Sequence, residues 1–166
     1  MHTIIEAVRQ LPDLPLVLKI FGNAAQFPNY TSDLKKRVKN DDRIQFLGVY
    51  DRKDISQVFS NLDLLVVPSL WYENSPNVIL EAFAHHVPVL ASDLGGMAEL
   101  VENGKNGALF KAGNASDLKR LIRTIAENPI KICQYQDFIP AVKTVDQEIE
   151  EVLNVYNRVI HSKVPA

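Results

Sequence analysis

An α/β fold, a single Rossmann-like domain with a parallel sheet covered by helices on both faces, is predicted by two observations. Short apolar runs alternate with segments of helical period from residue 4 to residue 110, and the runs are apolar throughout rather than at every second position. Strands buried on both faces lose the two-residue alternation, and parallel neighbours need crossover helices between them. The first helical segment is IIEAV at 4–8; after the punctuation LPDLP, the run LVLKIFG at 16–22 reads as a buried strand ending in Gly22. A helix opens near Pro28 and runs to Lys39, and IQFLG at 44–48 forms the second strand, closed by Gly48. DRKDISQVFSNL at 51–62 is amphipathic, with Ile55, Val58, Phe59 and Leu62 on one face, and leads into the strand DLLVVPS at 63–69. NVILEAFAHH at 77–86 reads as helix, VPVLASD at 87–93 as strand, GGMAELVENG as a short helix with a Gly stop, and NGALF as a last strand. Beyond Asn114 the pattern is helical only: 116–127, a break at Pro129, a short segment to about 138, and 145–160. The expectation is one domain over residues 1–166 with a helical C-terminal extension.

Composition narrows the function. The 166 residues are enough for one domain with a core and too few for two of ordinary size. With 18 basic and 20 acidic residues the net charge is -2, which disfavours nucleic-acid binding by bulk charge. No run approaches the roughly 18 apolar residues of a membrane span. The N-terminal MHTIIEAVRQ lacks the basic and apolar regions of a signal peptide, and the single Cys133 suits a reducing, cytoplasmic setting.

In open parallel sheets ligands bind beyond the carboxyl ends of the strands. The loop after the third strand is the informative one. It places Glu73 in the sequence WYENSP ahead of a helix that begins near Asn77, whose free N–H groups and dipole favour an anion. Glu81 is the only charge in NVILEAFA, and an unpaired carboxylate rarely sits among such neighbours. Two acids that accept from sugar or ribose hydroxyls, beside N–H groups that donate to a phosphate, describe a nucleotide-sugar site. The plainer reading makes Glu81 a complement to the helix dipole and Glu73 a solvated loop acid. A dinucleotide-binding site is disfavoured, since IFGNAAQ supplies one Gly where Gly-x-Gly-x-x-Gly is needed.

These residues carry a resemblance. The stretch PSLWYENSPNVILEAFAHHVPVLASDLGGMAELVENGKNGALF resembles the C-terminal, nucleotide-sugar-binding domain of the retaining family 4, or group 1, glycosyltransferases with the GT-B fold. IFGNAA, IQFLGVY and NLDLLVVPS follow the same family upstream, and EEVLNVYNRVI is similar to its closing helix. The resemblance implies one half of a GT-B enzyme, with the acceptor-binding N-terminal domain absent. Glu73 would position the donor sugar and Glu81 the ribose hydroxyls. Backbone N–H groups around Asn74, Ser75, Asn77 and Val78 would meet the sugar and diphosphate. The backbone near Tyr50 would face the base, and Gly22 would let the first loop approach the donor closely. It further implies transfer with retention from a nucleotide diphosphate sugar, no metal or other cofactor, a glycan or lipid-linked acceptor, and peripheral membrane association of the full-length protein. Alternatives are a non-catalytic nucleotide-binding module or a GT-B relative such as a nucleotide-sugar epimerase.

The chain departs from the family in three places. Asn74-Ser75-Pro76 stands where many members have Gly-Phe-Gly, and Pro76 offers no N–H. His86 stands at a helix C′ position that favours Gly. The family's Arg and Lys-Gly, which neutralise the diphosphate just before the segment matching HTIIEAV, have no counterpart in a chain beginning Met1-His2, so little or no catalysis is expected of it alone. Elsewhere the structural readings are preferred. His85 and His86 do not face one point, Lys35, Lys36, Arg37 and Lys39 form a solvated face, Gly95-Gly96 makes a tight turn, and Cys133 is inert packing. Trp71 and Tyr72 are candidate walls of the sugar pocket.

Overall fold

The structure, a computed structural model, describes residues 1–162. Five short strands alternate with helices. In chain order they are α1 (His2–Arg9), β1 (Leu18–Phe21), α2 (Pro28–Arg37), β2 (Ile44–Gly48), α3 (Ile55–Phe59), β3 (Leu65–Val67), α4 (Asn77–Ala84), β4 (Val89–Ser92), α5 (Gly96–Leu100) and β5 (Gly107–Phe110). The helical extension follows as α6 (Ala115–Glu127), α7 (Ile130–Gln136) and α8 (Val145–Ser162). Every ladder among the described residues is parallel, as the apolar runs predict, but the strands form two pieces. β1 pairs with β2, Leu18 opposite Ile44; β4 lies between β3 and β5, with Val89 opposite both Leu65 and Gly107.

Both faces of these sheets are covered. On one side Ile4, Ile5 and Val8 of α1, Leu34 of α2 and Leu118 and Ile125 of α6 pack with Ile20, Ile44, Leu90 and Phe110. On the other, Phe59 of α3, Ile79, Ala82 and Phe83 of α4 and Met97 of α5 pack with Val89 and Ala91. Leu90 and Val89 therefore serve opposite cores, which is why β4 is buried at every residue and reads as an unbroken apolar run. Arg43 closes the far end of α1. Its guanidinium pairs with Asp41 at 2.8 Å and donates to the carbonyls of Leu11, Leu14 and Val8, with both side chains mostly buried.

Three expectations need correction. Residues 51–62 do not make one amphipathic helix: a 3-10 turn at Arg52–Asp54 leads into the five-residue α3. Ser60 Oγ and Asn61 Nδ2 both donate to the Gln57 carbonyl, drawing it away from helix continuation. The third strand is shorter than 63–69 and its residues are only half-buried, since its edge opposite β4 has no partner strand. Cys133 is exposed rather than packed.

The helix ends follow local rules. Asn114 caps α6 by accepting from the Asp117 N–H at 3.0 Å. Thr144 and Gln147 form a reciprocal capping box at the start of α8. The described side chains of α8 are all exposed, including Ile149, Leu153 and Tyr156. At the end of α4, His86 takes φ 56°, the left-handed conformation expected of the C′ position. A Cβ there costs about 1–2 kcal/mol, part of which glycine returns through its freer unfolded chain. His86→Gly is therefore expected to stabilise the domain by about 0.5–1 kcal/mol, read as a higher urea midpoint with unchanged slope; a lower midpoint would show that the imidazole is needed there.

Candidate functional site

The expected site residues gather at the carboxyl ends of the strands, in two groups. The first group surrounds the exits of β1 and β2. The Gly22 N–H donates to the Gly48 carbonyl at 2.8 Å, tying the two exits together. Gly48 has φ 77°, which glycine adopts freely. Two residues on, the Tyr50 ring meets Phe21 edge to face at 5.4 Å between centroids. Gly22, Tyr50 and Val78 line one cavity of about 390 Å³, floored by the apolar side chains of Phe59, Leu65 and Val67. Glu81 of α4 is half-buried and near enough to act on Tyr50, whose phenol is pushed up by burial and further by the negative charge of Glu81. The Glu81 carboxylate has no hydrogen-bond or ion-pair partner among the described residues. A half-buried, unpaired acid is poised to accept hydroxyl groups from outside the chain.

The second group is the loop between β3 and α4. Glu73, Asn74, Ser75 and Asn77 are all exposed and lie outside the lining of the first cavity. Glu73 Oε1 accepts from the Ser69 hydroxyl at 3.1 Å, and its carbonyl accepts from the Gly96 N–H at 2.7 Å. A Cβ on Gly96 would lie 2.0 Å from the Asn74 carbonyl oxygen and one on Gly95 2.9 Å from that of Glu73, so the loop rests directly on the start of α5. Pro76 precedes α4 without a side-chain cap; the Ile79 N–H turns back to the Pro76 carbonyl, and the Asn77 and Val78 N–H groups have no partner among the described residues. These donors and the dipole of α4 favour an anion at the same end of the sheet.

Two contributors escape a reading of the sequence. Ser69 orients Glu73, and its only signal is a hydroxyl at a strand exit. Gly95-Gly96 reads as a tight turn, but its role is close approach to a loop more than twenty residues away, which no local pattern reveals. His85 is structural, as expected: its ring stacks on Phe59 at 5.2 Å, with Nδ1 at 2.7 Å from the Glu81 carbonyl and Nε2 at 3.0 Å from Ser56 Oγ. It thereby fixes the turn of α4 that carries Glu81 against α3. Lys35, Lys36, Arg37 and Lys39 are exposed, as expected of a solvated face, with Lys35 lying over the Phe46 ring. Trp71 and Tyr72 are exposed beside the Glu73 loop. Among the described residues no three His, Cys, Asp or Glu side chains gather as a metal site, and no helix is long and apolar enough to cross a membrane.

Residues 1–144 match the family of glycosyl transferases group 1. The chain is 31% identical over 117 residues to spore coat protein SA of Bacillus subtilis, covering 66% of this chain and 31% of that protein. It is 26% identical over 133 residues to D-inositol 3-phosphate glycosyltransferase of Rhodococcus erythropolis, covering 78% and 30%. A crystal structure of Anabaena HepE in complex with UDP-glucose superposes with a TM-score of 0.79 at 29% identity, over 93% of this chain and 45% of that one. The chain thus spans about a third of the length of these curated relatives and under half of the solved one. Parallel sheets with both faces covered and a family match over most of its length place it: the chain belongs to the group 1 glycosyltransferase family, with a fold shared by GT-B glycosyltransferases.

Proposed function

We propose that these residues form the nucleotide-sugar-binding, C-terminal half of a retaining family 4 glycosyltransferase, which receives a nucleotide diphosphate sugar and presents it to an acceptor held by another domain. The observation that carries this reading is Glu81, a half-buried carboxylate without a partner among the described residues, set beside Tyr50 and the cavity lined by Gly22 and Val78. In this reading Glu81 accepts the two ribose hydroxyls, and the base enters the cavity against Tyr50 and Gly22. The diphosphate meets the free N–H groups of Asn77 and Val78, and Glu73, steadied by Ser69, receives the hydroxyls of the donor sugar near Asn74 and Ser75. The charge is complementary: acids meet hydroxyls and N–H groups meet the phosphates. No metal or other cofactor enters the reading. The acceptor, a glycan or a lipid-linked saccharide, belongs to the other domain, and the full-length protein works in the cytoplasm or at its membrane face. The chain alone binds donor and transfers little or no sugar.

UDP-glucose is the first donor to test, because HepE was crystallised with it at 29% identity to this chain. Titration calorimetry in buffer containing EDTA is expected to show binding to the 166-residue chain. Glu81→Ala is expected to weaken it by about 1–3 kcal/mol, roughly five- to 150-fold, the cost of leaving ligand hydroxyls unpaired. Unchanged affinity in Glu81→Ala would remove the ribose role. Sugar transfer by the chain alone would overturn its assignment as a binding half.

A further inference from the structure

His85 joins two parts of the candidate site. Phe59 of α3 floors the cavity lined by Gly22, Tyr50 and Val78, and the half-buried carboxylate of Glu81 in α4 lies close enough to act on Tyr50. The His85 ring stacks on Phe59 with 5.2 Å between centroids and 15° between planes, and its two nitrogens reach one helix each. Nδ1 lies 2.7 Å from the Glu81 carbonyl oxygen, and Nε2 lies 3.0 Å from Ser56 Oγ. A carbonyl oxygen can only accept, so Nδ1 carries a proton; in the neutral ring Nε2 then accepts from the Ser56 hydroxyl. The Glu81 carbonyl needs this donor. In a continuing helix it would accept from the N–H four residues on, but the His85 N–H turns to the Ala82 carbonyl at 3.0 Å. The ring of the same residue replaces the amide that turned away. α4 has eight residues and no side-chain cap at its start, and the bond from Nδ1 is the one side-chain hydrogen bond to its backbone among the described residues.

We propose that His85 is a positioning residue for the nucleoside: by holding the Glu81 carbonyl it sets the Glu81 carboxylate where it meets the ribose hydroxyls, against a floor fixed by the same ring. The inference rests on the nucleotide-sugar reading of Glu81 and adds to it a residue that acts through another. Residues four apart on a helix share one side of it, so His85 sits one turn beyond Glu81 and directly behind it. Because one rigid ring spans α3 and α4, it sets the distance between the floor under the base and the acid under the ribose. Two independent side chains would leave that distance free to vary. A helix of two turns holds itself poorly, so contacts at its ends decide where its residues stand. The neighbouring His86 gives the contrast. Its backbone takes the left-handed turn and its carbonyl accepts from Gln136 Nε2, but its imidazole makes no hydrogen bond among the described residues.

UDP is the probe, because HepE was also crystallised with UDP, at 29% identity to this chain. Calorimetric titration of the wild type, Glu81→Ala, His85→Ala and the double variant reads the coupling between the two residues. His85→Ala is expected to weaken UDP binding about tenfold when Glu81 is present and by less than about twofold when Glu81 is already alanine, since the carboxylate it positions is then gone. His85→Asn, whose side-chain amide can donate to the same carbonyl, is expected to bring the affinity back to within about threefold of wild type. Asn114→Ala is the control for stability alone: it removes the cap of α6 and should lower the thermal midpoint while leaving the UDP affinity unchanged. Equal factors for His85→Ala in both backgrounds would show that the ring acts through the fold or through Phe59 rather than through Glu81, and would overturn the proposal. A His85→Asn chain that binds no tighter than His85→Ala, or an Asn114→Ala chain that loses as much affinity, would overturn it too. If Glu81→Ala binds UDP as the wild type does, the ribose role of Glu81 falls instead, and the proposal falls with it.

Discussion

Gly96→Ala is expected to destabilise the domain by about 3 kcal/mol and to lower its thermal midpoint by about 6–12 °C, against the trend of helix propensity. Gly96 is the first residue of α5, where alanine would ordinarily gain up to about 1 kcal/mol over glycine. Sterics reverse the sign. The added Cβ would stand 2.0 Å from the Asn74 carbonyl oxygen, 2.7 Å from its carbon and 2.9 Å from the Glu73 carbonyl oxygen. All three are backbone atoms, so no rotamer change relieves the contact, and either α5 or the loop must move. Movement of the loop would break the 2.7 Å hydrogen bond from Gly96 to Glu73 and displace the Glu73 carboxylate with it. If Glu73 holds the donor sugar as proposed, donor binding should fall together with stability. Gly104→Ala is the matching control: Gly104 has φ 84° but nothing within 4 Å of a new Cβ, so only backbone strain of about 1 kcal/mol is expected. Equal losses in the two variants, by calorimetric melting, would show that the contact with Asn74 is not what makes Gly96 necessary.

That comparison marks where a sequence reading stops. The alternation of apolar runs and helices predicts the parallel α/β class because two-sided burial writes itself into every strand; β4, with Leu90 in one core and Val89 in the other, is the clearest case. The left-handed His86 is also legible, since the residue after the C-cap of a helix commonly reverses the chain there. Strand neighbours are different. β1 and β3 carry the same apolar signature as paired strands, and nothing in LKIF or LVV says that one edge of each lacks a partner. The Glu73 and Glu81 candidates stand out because carboxylates are conspicuous beside a strand exit and within an apolar helix. The groups that hold them, Ser69 under Glu73 and His85 under Glu81, are ordinary residue types whose partners are set by tertiary packing. Backbone contact, as at Gly96, leaves no trace in composition at all.

Arg43→Ala is expected to cost about 2–4 kcal/mol, although Arg43 lies far from the strand exits. Its guanidinium joins the end of α1 and the segment after it, through the Val8, Leu11 and Leu14 carbonyls, to Asp41 ahead of β2. The two side chains are 23% and 20% exposed, so the ion pair is screened far less than a surface one. Removing the cation leaves a partly buried carboxylate and several carbonyls without their donor, and such losses exceed the worth of the pair itself. Acid supplies the second test. Hydrogen bonds from Arg43 hold the Asp41 carboxyl below its ordinary value of 3.8, so the folded state favours the ionised form more than the unfolded chain does. The stabilisation is complete above the unfolded value and is lost as pH falls through the folded one. Asp13 beside Arg123 and Asp117 beside the Lys111 N–H and Arg120 are shifted the same way and add to the acid slope. The difference between wild type and Asp41→Asn isolates the Asp41 share. In urea melts it should be largest near neutrality and shrink steadily below about pH 4; a difference independent of pH would show that the Arg43 clasp on α1 works through its carbonyl contacts alone.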